Sequence, residues 1–103
     1  MSDQSLTLVA KAPGSFLLSG DITHKKVLTI LDVDILATAG AKVSIDFSGV
    51  THSDSAGLAL MTHWARLARN VNVRICFEQV PEKLLALAKM SGVDRILSFS
   101  CDE

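Results

Sequence analysis

Residues 42–70 read KVSIDFSGVTHSDSAGLALMTHWARLARN, and within this stretch the hydrophobic period changes once. Val43, Ile45 and Phe47 alternate with Lys42, Ser44 and Asp46, the period of two that gives a strand one buried face. Ser48 and Gly49 read as its end, and the polar run that follows reads as a loop. Beyond it the spacing turns helical. At about 100° per residue, Leu58, Leu60, Met61, Trp64, Ala65, Leu67, Ala68 and Val71 fill one half of the wheel, and Ser55, Ala59, Thr62, Arg66 and Arg69 the other. Ser55 is therefore expected at the top of the wet face.

Asp54 suits the N-cap, where a carboxylate accepts from the free N–H groups of the first turn, and Gly57 admits a close neighbour. Capping alone would account for Asp54 and Ser55. It does not account for Ser48, Thr51, His52 and Ser53 in the same short stretch, because one cap needs one oxygen. The surplus suggests a surface that displays a modifiable or partner-reading hydroxyl.

Working outward, Leu6, Leu8 and Ala10 alternate as a short strand, Pro13-Gly14 turns the chain, and Phe16 to Ser19 form a second strand of a hairpin. Thr23 caps a helix expected to run to about Ala39, with Gly40 as its stop. Val71, Val73, Ile75 and Phe77 alternate as a further strand. Pro81 suits the first position of a third helix, Gly92 suits its end, and Ile96 to Phe99 read as a closing strand. The predicted order is β-β-α-β-α-β-α-β: an α/β fold with a mixed sheet and helices packed on it. The 103 residues, 49% of them hydrophobic, bound this to one domain over 1–103.

Charge narrows the partners. A net charge of −1 and 5% aromatic content provide neither a basic field for a nucleic-acid backbone nor a stacking platform for bases. The longest apolar region, Val27 to Ala41, is broken by Asp32 and Asp34 and falls short of the roughly 20 apolar residues of a membrane span. Met1-Ser2-Asp3-Gln4 shows no basic start leading into an apolar run, so no secretory signal is expected. Cys76 and Cys101, far apart in sequence, fit free thiols in a reducing compartment better than a disulfide scaffold. Together these give a cytoplasmic protein without membrane insertion. His24, Lys25 and Lys26 stand in the first turn of the first helix, where the macrodipole disfavours cations by roughly 0.3 to 1 kcal/mol each. Crossover connections would bring that turn beside the Ser55 stretch, as a cationic rim for an acidic partner or a phosphate, or simply as solvated lysines. Ile30, Val33 and Ala37 lie off the main stripe of Val27, Leu28, Leu31 and Ile35, so this helix is either buried on two sides or turned toward a partner.

Chemistry of other kinds finds little support. Ser55, His52, His63, Asp46 and Asp54 include the residue types of a hydrolytic triad, but Ser53 stands where a nucleophile elbow needs its first glycine. The three histidines lack a paired helical spacing, neither cysteine has a Cys-x-x-Cys partner, and no Gly-rich phosphate loop is present. No metal, cofactor or catalytic residue is expected.

Three segments carry a resemblance to a known family. Asp46-Phe47-Ser48 followed by Asp54-Ser55-Ala56-Gly57-Leu58 resembles the signature of STAS domains, in which a strand ends in Asp-hydrophobic-Ser and Asp-Ser/Thr-x-Gly-Leu opens a helix. Leu18-Ser19-Gly20-Asp21-Ile22-Thr23 is similar to the family's entry to its first helix, with Thr23 where Asp is frequent. The run from Val80 to Val93 is similar to its last helix. Gly57-Leu58-Ala59-Leu60 with His63, and the small size, look most like the MlaB-like members, although these usually carry Thr where Ser55 stands. The resemblance implies a non-enzymatic interaction module that binds the ATPase of a phospholipid-transporting ABC complex, at the inner face of the inner membrane through that partner. Its contact surface would comprise Thr23, His24, His52, Ser53, Asp54, Ser55, Ala59, Thr62 and Arg66. The runner-up that the resemblance implies is an anti-sigma-factor antagonist whose Ser55 is phosphorylated by an anti-sigma-factor kinase.

Overall fold

The computed structural model describes residues 6–27, 30, 42–95 and 97–99, with His24 described by its backbone only. Strands β1 (Thr7–Ala12) and β2 (Ser15–Ile22) form the expected hairpin, with Gly14 at φ 77° in the turn. Then come α1 (His24–Val27), β3 (Lys42–Ser53), α2 (Ala56–Asn70), β4 (Arg74–Glu78), α3 (Glu82–Ser91) and a 3-10 turn at Val93–Arg95. The sheet order is β1-β2-β3-β4, antiparallel in the first pair and parallel in the other two, the mixed α/β class the periodicity predicts. α1 starts as expected: Thr23 Oγ1 accepts from the Lys26 N–H at 3.4 Å, and Thr23 O from the Val27 N–H at 3.0 Å. The expected continuation to Ala39, its Gly40 stop and most of its second apolar face lie outside the described residues, though Ile30 is buried.

One face of the sheet is apolar because alternate residues of two neighbouring strands share it. Phe16, Leu18 and Ile22 of β2 and Val43, Ile45 and Phe47 of β3 are all buried there, against Leu60, Met61 and Trp64 of α2 and Leu84 of α3. Phe47 meets Phe77 of β4 edge to face, with ring centroids 5.9 Å apart at 88°, a geometry that adds roughly 0.5–1.5 kcal/mol to area burial.

The structure corrects the sequence reading at four places. First, β3 does not end at Ser48-Gly49 but runs to Ser53, so Thr51, His52 and Ser53 stand on a strand. Pairing with β2 draws them out: Gly20 opposes Val50, Asp21 opposes His52 and Ile22 opposes Ser53. The register slips between Leu17 and Ser19 and again between Gly20 and Asp21, each slip inserting one extra residue in β3. Asp46 serves the first bulge by accepting the Ser48 N–H at 2.8 Å. Gly49 allows the strands to close up there, since a Cβ on it would lie 3.0 Å from Leu18 O and 2.9 Å from Ser19 Cβ.

Second, Val71 is 55% exposed rather than part of the buried helical half or of the next strand. It is the C-cap of α2, and Asn72 at φ 59° turns the chain before β4 begins at Arg74. Third, of the closing strand expected over Ile96 to Phe99, Ile96 lies outside the described residues and Leu97–Phe99 have no strand assignment. They follow the 3-10 turn, and the Phe77 N–H donates to Ser98 O at 2.9 Å, which brings this stretch beside β4. Fourth, Cys76 is disulfide-bonded, not a free thiol. The cysteine argument for a reducing compartment falls with it. At the third helix the shift is small, Pro81 being the N-cap and Glu82 the first helical residue, while Gly92 ends it at φ 78° as expected.

Candidate functional site

Parallel pairing puts the ends of β2 and β3 side by side, and with them the starts of α1 and α2. The Asp54 N–H donates to Ile22 O at 3.1 Å, joining the two ends directly. Thr23 thus comes beside the Ser53–Ser55 corner, as the sequence reading expects. The backbone of His24 follows Thr23, but its side chain lies outside the description.

The division of labour at this corner is clear. Asp54 does the capping: its Oδ1 accepts from the Ala56 N–H at 2.8 Å, and its carbonyl from the Gly57 N–H at 3.0 Å. Ser55 occupies the N-cap position itself, at φ −63° and ψ −13°, yet its hydroxyl makes no capping bond. Ser55 is exposed; its carbonyl accepts from the Leu58 N–H at 3.0 Å, while its hydroxyl has no hydrogen-bond partner among the described residues. Ser53 differs again. It is 8% exposed, its Oγ donates to Asp54 O at 3.0 Å, and it packs against Gly57, so its side chain serves the corner rather than the surface. The surplus of polar side chains at this end is therefore shared out: one cap, one buried brace, one displayed hydroxyl.

Beyond Ser55 the wet stripe of α2 is where the wheel puts it. Ala59 and Arg66 are exposed and Thr62 is half-buried, and with Ser55 they line a shallow groove of about 470 Å³ whose far wall is Ser91 and Val93. Leu58 and His63 also line it. His52 is exposed on β3. No hydrogen bond joins Ser55 to His52 or His63 among the described residues, and Asp46 is committed to Ser48 and, at 3.2 Å, to Lys11. Burial raises the Asp46 pKa, but the Ser48 N–H and hydroxyl together with Lys11 outweigh it and hold the carboxyl below its ordinary value.

Asp21 and Thr51 are members of this corner that the sequence reading did not single out. The Thr51 hydroxyl donates to Asp21 Oδ1 at 2.7 Å, and Lys26 Nζ lies 3.7 Å from Oδ2. The Thr51 bond is the main reason the Asp21 pKa is lowered; desolvation opposes it, and the charges of Lys26 and His52 assist. Lys26, one of the cations of the expected rim, is thus an ion-pair partner within the corner. Because a lowered carboxylate pKa stabilises the fold above the ordinary value and is lost as pH falls through the folded value, Asp21 supports this corner at neutral pH and releases it only in acid. Thr51→Val is expected to move the Asp21 pKa upward, read as a shift in its carboxyl NMR titration; an unmoved titration would show that the Thr51 bond contributes nothing.

Comparison with protein families matches residues 10–98 to the family described as "Mlab, STAS domain". The chain belongs to the STAS family. No curated protein matches its sequence. Among solved structures, the STAS fold here is similar to that of the anti-sigma factor antagonist SpoIIAA in its unphosphorylated form, with TM-score 0.69 and 17% identity, covering 94% of this chain and 89% of that one. It is also similar to the Bacillus cell fate determinant SpoIIAA in the phosphorylated form, with TM-score 0.65 and 17% identity, covering 94% and 92%. Among the described residues of this STAS domain no helix is long and apolar enough to cross a membrane, and no three His, Cys, Asp or Glu side chains are grouped to hold a metal.

Proposed function

We propose that this STAS domain is a non-enzymatic interaction module that binds the ATPase subunit of a phospholipid-transporting ABC complex and sits at the inner face of the inner membrane through it. The observation that carries this reading is the Ser55 hydroxyl, exposed at a helix start whose capping is done by its neighbour Asp54. A hydroxyl with no structural duty, at the head of an exposed stripe, suits a surface that a partner reads. The MlaB description of the matching family supports the choice of partner. Thr23, His24, His52, Asp54, Ser55, Ala59, Thr62 and Arg66 form the proposed contact surface, and Ser53 lies beneath it.

A second reading has its own support. The fold is similar to an anti-sigma factor antagonist known in phosphorylated and unphosphorylated forms, and the exposed Ser55 hydroxyl is one that a partner kinase could reach. A phosphate on Ser55 would gain about 1 kcal/mol from the positive end of α2 and lose a similar amount to Asp54. The fold would hardly register it. In an interface that expects a neutral hydroxyl, however, the dianion gives up hydration without a partner.

Ser55→Asp and Ser55→Glu are therefore expected to unfold like the parent but to bind about tenfold more weakly, whereas Ser55→Thr keeps the hydroxyl and the affinity. Ala59→Arg should weaken binding with thermal unfolding nearly unchanged. Calorimetry against the ATPase and, separately, an anti-sigma-factor kinase distinguishes the two partners. Equal binding by the acidic variants would leave Ser55 outside the contact.

A further inference from the structure

At the opposite pole of α2 from Ser55 lies a larger cleft, of about 770 Å³, where β3 and β4 begin and α2 ends. Fifteen helical residues at about 1.5 Å each separate the two ends by ~22 Å. Lys42, Arg66, Arg69, Arg74 and Arg95 line the cleft, five of the ten Lys and Arg residues of a chain whose net charge is −1. Among the described residues no carboxylate lines it, and no aromatic ring does. Lys42 and Arg74, opposed in register at the first step of the β3–β4 ladder, also have interactions of their own, so the charge argument rests on Arg66, Arg69 and Arg95.

The helix end explains only part of this. A cation in the last turn of α2 complements the macrodipole, which accounts for Arg69. It does not account for Arg66 one turn earlier, nor for Arg95, which the 3-10 turn brings in from beyond α3. Concave walls carrying one sign of charge focus the field within the cleft, and guanidinium groups match phosphate oxygens two at a time. The volume is that of a small-molecule site. Without an aromatic ring, a nucleobase has nothing to stack on, so the phosphates themselves must be what is recognised.

We propose that this cleft binds a small, multiply charged phosphate compound of the pyrophosphate or polyphosphate class, held by Arg66, Arg69 and Arg95. It is separate from the proposed partner surface except at Thr62 and Arg66, which border both grooves. The test therefore uses Arg69 and Arg95, which lie outside that surface.

Titration of the full chain with inorganic pyrophosphate, followed by calorimetry and amide NMR, is expected to show saturable binding that weakens with added salt, with shifts centred on Arg69, Arg74 and Arg95. Arg69→Ala and Arg95→Ala should each weaken it about tenfold, while Lys83→Ala on α3 leaves it unchanged and ATPase binding stays at parental strength in all three. Absence of pyrophosphate binding by the parent, undiminished binding by both arginine variants, or binding only to vesicles containing anionic phospholipid would each overturn the assignment.

Discussion

Replacing Trp64 by alanine is expected to lower the unfolding free energy by about 3 to 5 kcal/mol, a large share of the roughly 5–15 kcal/mol that holds a domain of this size. Trp64 is fully buried at the middle of α2, in one core with Ile45 and Phe47 of β3 and Phe77 of β4. No smaller side chain fills that space, and the sheet beneath it cannot close over the gap because its strands are fixed by their ladders. The indole also carries a cost: its Nε1–H is buried without a hydrogen-bond partner among the described residues, and such an orphan donor penalises the fold by about 1 to 3 kcal/mol. Trp64→Phe keeps most of the ring contact and removes that donor, so it should cost less than half as much as alanine. Since Trp64 is the only tryptophan, unfolding is best followed by circular dichroism in urea. A phenylalanine variant as unstable as the alanine one would mean that the orphaned donor carries no penalty.

That Trp64 would be buried was legible because helical phase is local: Leu60, Met61, Trp64 and Ala68 share one side whatever the rest of the chain does. The same holds for Val43, Ile45 and Phe47. What escaped the sequence depended on a second segment. The polar run after Ser48 looks like a loop by composition, and only its pairing with Ser19–Ile22 of β2 makes it strand. Val71 continues the apolar stripe by spacing, but Asn72 turns the chain and leaves it in solvent. Nothing around Cys76 in sequence shows that Leu97–Phe99 come to lie beside β4. At the site, the position of Ser55 and its stripe followed from the wheel. The cross-strand bond between Thr51 and Asp21, the inward turn of Ser53 and the wall of Ser91 and Val93 could not follow, because each needs the register or the packing of α3.

Gly57 is where that packing of α3 meets the Ser55 corner, and Gly57→Val is expected to destabilise the domain by about 3 kcal/mol, the upper part of the usual range for overpacking. A Cβ on Gly57 would stand 2.8 Å from Ser53 Oγ and 2.9 and 3.0 Å from the two methyl groups of Leu84. Neither neighbour yields easily. Ser53 is held in the β2–β3 ladder and by its bond to Asp54 O, and Leu84 is 1% exposed in the core. Helix propensity pulls the other way, since a side chain in place of glycine gains at most about 1 kcal/mol, so even Gly57→Ala should come out destabilising by about 1 kcal/mol. Ser53→Ala removes the nearest atom, and the double variant should be less unstable than the two single changes summed. The corner gives the effect a functional reading as well. If α2 slides outward to admit the new methyl groups, Ser55 moves with it, and Gly57→Ala should lose partner affinity out of proportion to its small loss of stability. Denaturation and calorimetry on the same preparations separate the two, and an alanine variant as stable as the parent would show that the contact between α2 and α3 has slack at this point.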